Sequence, residues 1–584
     1  MNELHFGDNL EILGSSLIPD QSVDLIYLDP PFNSQSQYNV LFRSPRDDTS
    51  AQAGAFLDTW TWGEEAEWSF QESMKLGGGT ARFIDALRSA LGESDMMAYL
   101  VMMAIRLAAL RQKLKSTGSL YLHCDPTASH YLKILLDGIF VHKNFQNEII
   151  WKRTGAHGSS RRWGPVHDTL FFYTASESFV WNRVYQAYEP GYIAEKYRHS
   201  DGRGNFQDVS LTGPGTTKGE SGQPWREFDP TGKGRHWAIP GAIGNGIAGF
   251  ENMTTQEKLD ALDAARLIYW PKARTGSDGF PRVKQYPGAG NPIQDVVTDI
   301  SAINSQAQER LGYPTQKPIA LLDRIIQASS NKGDVVLDPF CGCGTTIEAA
   351  QRSGRQWIGI DIAIHAVKVI EARLSEQFGK AVTYKVKGIP KDFESAIRLA
   401  ENNKYQFQWW ANYLFNPHAL REQKKGADRG VDGELFFPNG PGRPWGRMLT
   451  SVKGGTSVGP AMVREFAGVL RREKAEMGLF ICLYRPTREM MREAAAVGIA
   501  ETVHGDIPKL QIVAIEDWFA GRLPKLPPLE HLPSAAFSTS RRRPNITRLA
   551  DPDQPQLPLS FIGDKGNKTD TVHLNPGMVR TGTR

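Results

Sequence analysis

Asp29, Pro30, Pro31 and Phe32 stand directly after the mostly apolar run Val23 to Leu28. An acid, two prolines and an aromatic ring therefore occupy a tight loop at the end of a buried strand. That combination suits one difficult reaction. An exocyclic amine on a nucleobase is a poor nucleophile because its lone pair is delocalised into the ring. Two acceptors that grip its two N–H bonds draw the nitrogen toward tetrahedral geometry and free the lone pair. The Asp29 carboxylate is one acceptor, and the carbonyl of Pro30 can be the other. Prolines fix φ and remove competing N–H donors, and Phe32 offers a flat face on which an extruded base can stack. Positioning and electrostatic preorganisation would carry the rate. Taken alone, the same four residues also read as an ordinary turn after a strand.

A second constellation lies some three hundred residues on. Val335-Val336-Leu337 leads into Asp338-Pro339-Phe340-Cys341-Gly342-Cys343-Gly344, then a helix from Thr346 to Arg352, a strand from Trp357 to Ile360, and Asp361. Strand, Gly-x-Gly loop, helix, strand and acid is the order of a nucleotide-binding unit. Gly342 and Gly344 let a ligand approach the backbone, and Asp361, about 20 residues on, can accept both ribose hydroxyls. The loop lacks the third glycine of a dinucleotide fingerprint and the Lys-Ser/Thr of a P-loop, which disfavours pyrophosphate and triphosphate ligands. S-adenosylmethionine carries no phosphate and fits better. Thr315-Gln316-Lys317-Pro318 precedes a helix expected at Ile319 to Ser329, and that helix start with Lys317 could receive the cofactor's methionine carboxylate. A surface lysine is the alternative reading of Lys317.

These loops need a sheet to hold them. Strand signals at Leu4 to Phe6, Val23 to Leu28 and Ser119 to His123 alternate with helical stretches, including Met96 to Leu114, and the alternation argues for a parallel α/β sheet. Over residues 155–310 the pattern changes to Gly, Pro, Trp, Lys and Arg with few periodic runs, as an inserted module would. Regular order resumes at Pro318. Residues 381–404 read as a linker, 405–526 as a second α/β unit, and 527–584, rich in Pro, Ser, Thr and Arg, as a disordered tail.

Composition sets the outer limits. A chain of 584 residues exceeds one core. A mean hydropathy of −0.39 and 23% charged residues indicate a globular protein, expected in the cytoplasm. The N-terminus has no basic start and no apolar h-region, so no signal peptide is expected. The most apolar stretch, Met96 to Leu110, is interrupted by Arg106 and is too short to span a membrane. Four cysteines exclude a disulfide scaffold. Cys341 and Cys343 have no second pair to complete a zinc site and read as small loop-filling residues. Net charge is +4 and the pI about 8.6. Lys152-Arg153, Arg161-Arg162 and Arg541-Arg542-Arg543 are candidate phosphate contacts, or ordinary solvated surface.

With both constellations in view, the chain resembles the site-specific DNA amino-methyltransferases. The resemblance rests on Asp29-Pro30-Pro31-Phe32-Asn33 with Tyr38-Asn39, Thr315-Gln316-Lys317-Pro318, and Asp338 through Thr346, and covers about residues 1–375. The catalytic motif precedes the cofactor motif, as in the β-arrangement of that family, and residues 29–42 are similar to type III modification subunits. The resemblance implies a doubly wound, Rossmann-like methyltransferase sheet. Residues 1–154 would form its catalytic half, and 311–380 its half for S-adenosylmethionine. It implies that 155–310 is the target-recognition module and that double-stranded DNA is the partner. A homodimer and a restriction or defence partner subunit are further partners to be expected, and a membrane is not. It places Asp8, Lys317, Asp338, Phe340, Gly342, Gly344, Thr345 and Asp361 at the cofactor. Asp at the head of the Pro-Pro motif points to adenine N6 over cytosine N4, where Ser is common. RNA or a protein amide is the alternative acceptor of the methyl group.

In the second unit, Asp432 and Glu434 precede Leu449-Thr450-Ser451-Val452-Lys453. An acid on one strand and a lysine on the next form the skeleton of a Mg²⁺-dependent nuclease site. Residues 405–526 resemble the Mrr-like branch of the restriction-endonuclease fold, with Asp432, the expected metal ligand, and Lys453 at matching positions. Ser451 stands where that family has Glu or Gln. Two expectations follow: a fused restriction–modification enzyme, or a DNA-binding relic of the nuclease fold.

Overall fold

The computed structural model describes residues 2–31, 37–43, 50–57, 61–155, 163–189, 191–271, 280–304, 307, 309–311, 315–415, 431–439 and 445–528, all within one compact unit, Met1–Thr539. Phe32, Asn33, Arg161, Arg162, the stretch 426–430 and most of the expected tail lie outside the described residues.

The central sheet is built from β1 (Asn2–Phe6), β2 (Val23–Leu28), β3 (Leu114–Cys124), β4 (Phe145–Lys152), β5 (His167–Thr174), β6 (Val296–Val297), β7 (Val335–Asp338), β8 (Gln356–Asp361) and β9 (Tyr384–Lys387). Their order across the sheet is β6-β4-β5-β3-β2-β7-β8-β1-β9. β5 runs antiparallel to both of its neighbours, and every other adjacent pair is parallel. β2 is buried at all six positions, as a central parallel strand covered on both faces must be. Its neighbour β7 comes from the far end of the sequence, in the register Val336 to Leu25 and Leu337 to Ile26. The acid–proline loop and the glycine loop therefore leave the same edge of the sheet from adjacent strands. This is the crevice where doubly wound sheets bind ligands.

Helices close both faces. α1 (Asn9–Gly14) and α2 (Asp95–Lys113) cover the face carrying Ile26, Leu28, Leu120, Leu122 and Leu337. The side chain of Ser94 caps α2 by accepting from the N–H of Met97 at 3.2 Å, and Arg111 and Lys113 in its last turn complement the helix dipole. α3 (Ile319–Ser329) and α4 (Thr345–Arg352) cover the opposite face, with Leu25, Tyr27, Tyr121, Val336 and Trp357. Strands 23–28, 335–338 and 356–361 and helix 319–329 lie where the apolar runs put them.

Three boundaries differ from the sequence reading. First, β4 and β5 belong to the sheet, so the excursion away from it spans about 175–295, not 155–310. Between these two strands, the described residues 153–155 and 163–166 carry no helix or strand. The excursion has its own antiparallel sheet (Ile268–Tyr269, Arg282–Gln285, Gly204–Ser210, His199–Asp201) and an aromatic core of Trp225, Phe228, Trp237 and Phe250. Second, 381–404 is not a linker. It holds β9, a Lys-bearing edge strand whose charge hid it, and α6 (Phe393–Asn402), whose Ala396 and Ala400 are buried. Third, two helices, Glu64–Met74 and Gly78–Leu91, precede α2 in a stretch where the sequence reading placed no element.

The last part of the unit begins with α5 (Ile364–Phe378), α6 and α7 (Lys404–Phe415). A four-stranded sheet follows, with order β10 (Gly433–Pro438), β11 (Trp445–Lys453), β12 (Met477–Cys482) and β13 (Leu510–Ala514). The first pair is antiparallel and the other two are parallel, with α8 (Pro460–Arg472) crossing from β11 to β12. α7 joins the two sheets: Trp410, fully buried, stacks on Phe519 at 6.2 Å, while Tyr413 receives Lys368 of α5 over its ring at 5.9 Å. No described helix is long and apolar enough to cross a membrane.

Candidate active site

Asp29 follows β2 directly and remains 17% exposed at its side chain. The Lys317 ammonium donates to its Oδ2 at 2.5 Å and to the carbonyl of Thr315 at 3.3 Å. Thr315 has φ +62°, a left-handed conformation that a β-branched residue adopts only under constraint. Lys317 is itself buried, so the ion pair lies largely out of water. The other oxygen, Asp29 Oδ1, is buried and accepts no hydrogen bond. A buried carboxylate oxygen without a donor is costly, and such a group invites a ligand that brings one.

The glycine loop stands beside it. Cys341 donates its N–H to the carbonyl of Ile360 at 3.1 Å, and Gly342 donates its N–H to Asp361 Oδ2 at 2.8 Å. Asp361 Oδ1 accepts from Ala363 at 2.9 Å, so this acid ties the loop to the end of β8. Gly344 has φ +76°, and a Cβ there would meet Ile370 Cγ1 at 2.6 Å. That position needs glycine for conformation and for space. Asp338 accepts from the N–H of Phe340 at 3.0 Å. Thr345 opens α4, and its hydroxyl accepts from Arg373 at 3.2 Å.

Several residues of the site gave no motif signal. Asn9 donates to the Pro339 carbonyl at 2.8 Å, and Arg106 of α2 binds both Asn9 (2.7 Å) and the Asp8 carboxylate (2.9 Å). Asp8 caps α1, accepting from Leu10 at 2.7 Å. The charge that interrupts the apolar run of α2 was thus a visible sign of a buried partner. Arg373 of α5 pairs with Glu348 and donates to the Cys343 carbonyl at 3.0 Å, clamping the glycine loop from behind. Both side chains are buried, and nothing in their spacing marks them.

The crevice is strongly acidic. Burial, with Asp29 and Asp361 nearby, pushes the Asp338 carboxyl up to about 7. Asp361 keeps some exposed surface, yet desolvation of its carboxyl raises it to about 6 against the opposing N–H groups of Ala363 and Gly342. A cationic ligand would relieve this cost by favouring the ionised forms.

The second candidate site is built differently. Asp432 Oδ1 accepts from Gln408 of α7 at 2.7 Å. Its Oδ2 accepts from the Val452 N–H at 2.6 Å and the Ser451 hydroxyl at 3.2 Å, and Lys453 lies at 3.6 Å. Glu434 points to Arg447 and pairs with it, not with this cluster. One carboxylate, already saturated by protein donors, does not fit a catalytic Mg²⁺. No group of three or more His, Cys, Asp or Glu able to hold a metal occurs among the described residues.

A family model described as DNA methylase matches residues 23–372, spanning both loops and the sheet between them. The chain belongs to the N6/N4 DNA methylase family. It is 28% identical over 409 residues to the type II methyltransferase M.EcaI of Enterobacter cloacae, covering 70% of this chain and 76% of that protein. It is 26% identical over 360 residues to the StyLTI Mod subunit, a type III restriction-modification enzyme of Salmonella typhimurium, covering 59% of this chain and 48% of that one. Among solved structures, the cytosine-N4-specific PvuII DNA methyltransferase aligns with 64% of this chain and 86% of its own at 13% identity, with a TM-score of 0.31. Membership makes the methyl donor S-adenosylmethionine. The crevice fits it: Asp361 would hold the ribose, the glycine loop would admit the cofactor against the backbone, and the acidic walls suit a sulfonium.

The pH dependence follows from the two raised carboxyls. Each holds its proton to higher pH in the folded than in the unfolded chain, where carboxyls titrate near about 4. The folded state therefore binds more protons between about pH 4 and about pH 7. The stability due to these groups is fully present at the acid end and is lost as pH rises through 6 to 7. Thermal unfolding of the unliganded protein at a series of pH values should show this fall, and Asp338→Asn should flatten it. An unchanged slope in that variant would place the effect elsewhere.

Proposed function

We propose that this enzyme methylates the N6 amine of adenine in duplex DNA, acting on a base turned out of the helix. The observation that carries the reading is the buried, donor-free Oδ1 of Asp29. One N–H of the amine would bond to this oxygen and the other to the carbonyl of Pro30. Lys317 holds the opposite oxygen, which fixes the carboxylate plane in a crevice shared with Asp338 and Asp361. When bound, S-adenosylmethionine supplies an electrophilic methyl group. Transfer of that methyl group would leave positive charge on the amine nitrogen, and Asp29 would face that charge. The proton the amine must then lose passes to Asp29 Oδ1 and on to solvent.

Two features support adenine over cytosine: the Asp at the head of the Pro-Pro motif, and 50% identity over 107 residues to the DNA adenine methyltransferase YhdJ of Escherichia coli, covering 18% of this chain and 36% of that protein. In this reading, residues 175–295 choose the target sequence. The likeness to a Mod subunit supports a restriction subunit as partner. Labelled methyl groups should appear in duplex DNA as N6-methyladenine on nucleoside mass spectrometry. Asp29→Ala should lower the rate by about a hundredfold or more. N4-methylcytosine in the digest would move the acceptor to cytosine, and wild-type rates in Asp29→Ala would end the mechanism.

We assign residues 405–526 to an Mrr-like restriction-endonuclease fold that holds DNA without cutting it. The strand order with its crossover helix supports the fold, and the saturated Asp432 beside Ser451 argues against cleavage. Unmethylated plasmid incubated with Mg²⁺ and without methyl donor should stay supercoiled. Linear or nicked products that disappear in Asp432→Ala would reverse this assignment.

A further inference from the structure

Beneath Asp29 runs a row of buried polar groups that the methyl-transfer chemistry does not itself require. The Tyr27 hydroxyl meets His123 Nδ1 at 2.9 Å, and His123 Nε2 meets Asp168 Oδ2 at 3.2 Å. All three side chains are essentially inaccessible. They lie on three adjacent strands, β2, β3 and β5, on the face covered by α3. Asp29 comes two residues after Tyr27 and so continues the same face. Burial and the nearby Lys317 hold His123 neutral. The neutral ring then donates from Nε2 to the carboxylate and accepts the Tyr27 proton at Nδ1, which gives the row a single direction. Trp151 packs edge-on against His123 at 5.8 Å and is itself fixed by an indole N–H bond to the Ile300 carbonyl at 2.8 Å.

The far end of the row reaches solvent. Arg153 is 41% exposed and lies 3.2 Å from Asp168 Oδ1, yet that oxygen receives no hydrogen bond. It is the second buried carboxylate oxygen in this region to lack a donor. Arg153 opens the connection from β4 to β5. The registers Lys152 to His167, Cys124 to Thr169 and Leu28 to Leu122 put that connection at the sheet edge from which Asp29 emerges. Duplex DNA presented to Asp29 would bring its phosphates to this edge, where an exposed guanidinium is a natural contact. An apolar core would be cheaper to build than a buried His–Asp pair with an incompletely satisfied acid. The cost makes sense if the row transmits something.

We propose that Asp168, His123 and Tyr27 are positioning residues for the methyl-transfer step, and that Arg153 couples them to the backbone of the bound duplex. The inference rests on the methyltransferase reading above. A phosphate that engages Arg153 shifts the guanidinium over Asp168. The carboxylate passes that shift to the imidazole, the imidazole to the Tyr27 hydroxyl, and Tyr27 to the strand end that carries Asp29. Arg153 and Tyr27 are thereby linked through two intermediates and need no contact of their own.

A double-mutant cycle on the full-length enzyme tests this, with duplex DNA and saturating S-adenosylmethionine. Tyr27→Phe removes a single oxygen and Arg153→Gln alters a surface side chain, so both variants should fold. Each should lower kcat by about five- to tenfold, as the loss of one hydrogen bond or charge contact predicts, with KM for S-adenosylmethionine unchanged; Tyr27→Phe strands the buried His123 Nδ1 and so should also melt somewhat lower, whereas Arg153→Gln should show the same kcat loss without that drop. The double variant should be no slower than the slower single one, because a broken chain cannot be broken twice. Arg153→Lys should recover part of the loss. Losses that multiply in the double variant, a normal kcat in both single variants, or a loss that tracks melting temperature or cofactor KM would each overturn the proposal. A wild-type enzyme that transfers no methyl group to DNA would instead overturn the reading on which it rests.

Discussion

The contact between Lys317 and Asp29 is the interaction around which the rest of this structure is arranged. It joins the residue that precedes α3 to the residue that follows β2, across 288 positions of sequence. Formed largely out of water, it cannot be loose, since a buried charge without its partner costs several kcal/mol, roughly 3–5 when one side is removed. The pair leaves one carboxylate oxygen committed and the other open. That asymmetry converts an ordinary acidic turn into a directional acceptor. The sheet order makes it possible, because β2 and β7 are neighbours and the loops they carry share one crevice.

Around this pair the protein tolerates an unusual concentration of acid. Asp29, Asp338 and Asp361 face a common space, and two of them titrate well above the ordinary carboxylate range. The arrangement is unfavourable when unliganded and becomes favourable with a cation in place. The supporting contacts are correspondingly firm: Asn9 and Arg106 hold the Pro339 side of the glycine loop, and Arg373 with Glu348 holds the Cys343 side. Stability is given up at the acids and recovered in the shell that fixes them.

Much of this was legible in the sequence, and the reasons are physical. A fully buried parallel strand must be an apolar run, and a tight turn through positive φ needs glycine, so Val23–Leu28, Val335–Leu337, Gly342 and Gly344 announce themselves. What stayed hidden depends on contacts between distant positions. No local pattern shows that Lys317 reaches Asp29, that Arg373 clamps the glycine loop, or that His123 and Asp168 lie side by side. Arg106 was a partial exception, since a charge inside an apolar helix needs a partner. The edge strand Tyr384–Lys387 was hidden for the opposite reason: edge strands carry charge to discourage further pairing, which makes them read as linkers. In the second unit the partners of Asp432 were equally hidden: its carboxylate is engaged by Gln408, Val452 and Ser451, which no local pattern links to it.

The sequence alone assigned Lys317 to the cofactor's carboxylate, whereas the structure sets its ammonium on Asp29. The measurement that separates these roles is single-turnover methyl transfer by Lys317→Met at saturating S-adenosylmethionine, with cofactor affinity measured separately. If Lys317 orients the catalytic carboxylate, the rate falls by about a hundredfold while cofactor affinity changes little. A variant that binds the cofactor poorly yet transfers the methyl group at the wild-type rate once saturated would contradict the account.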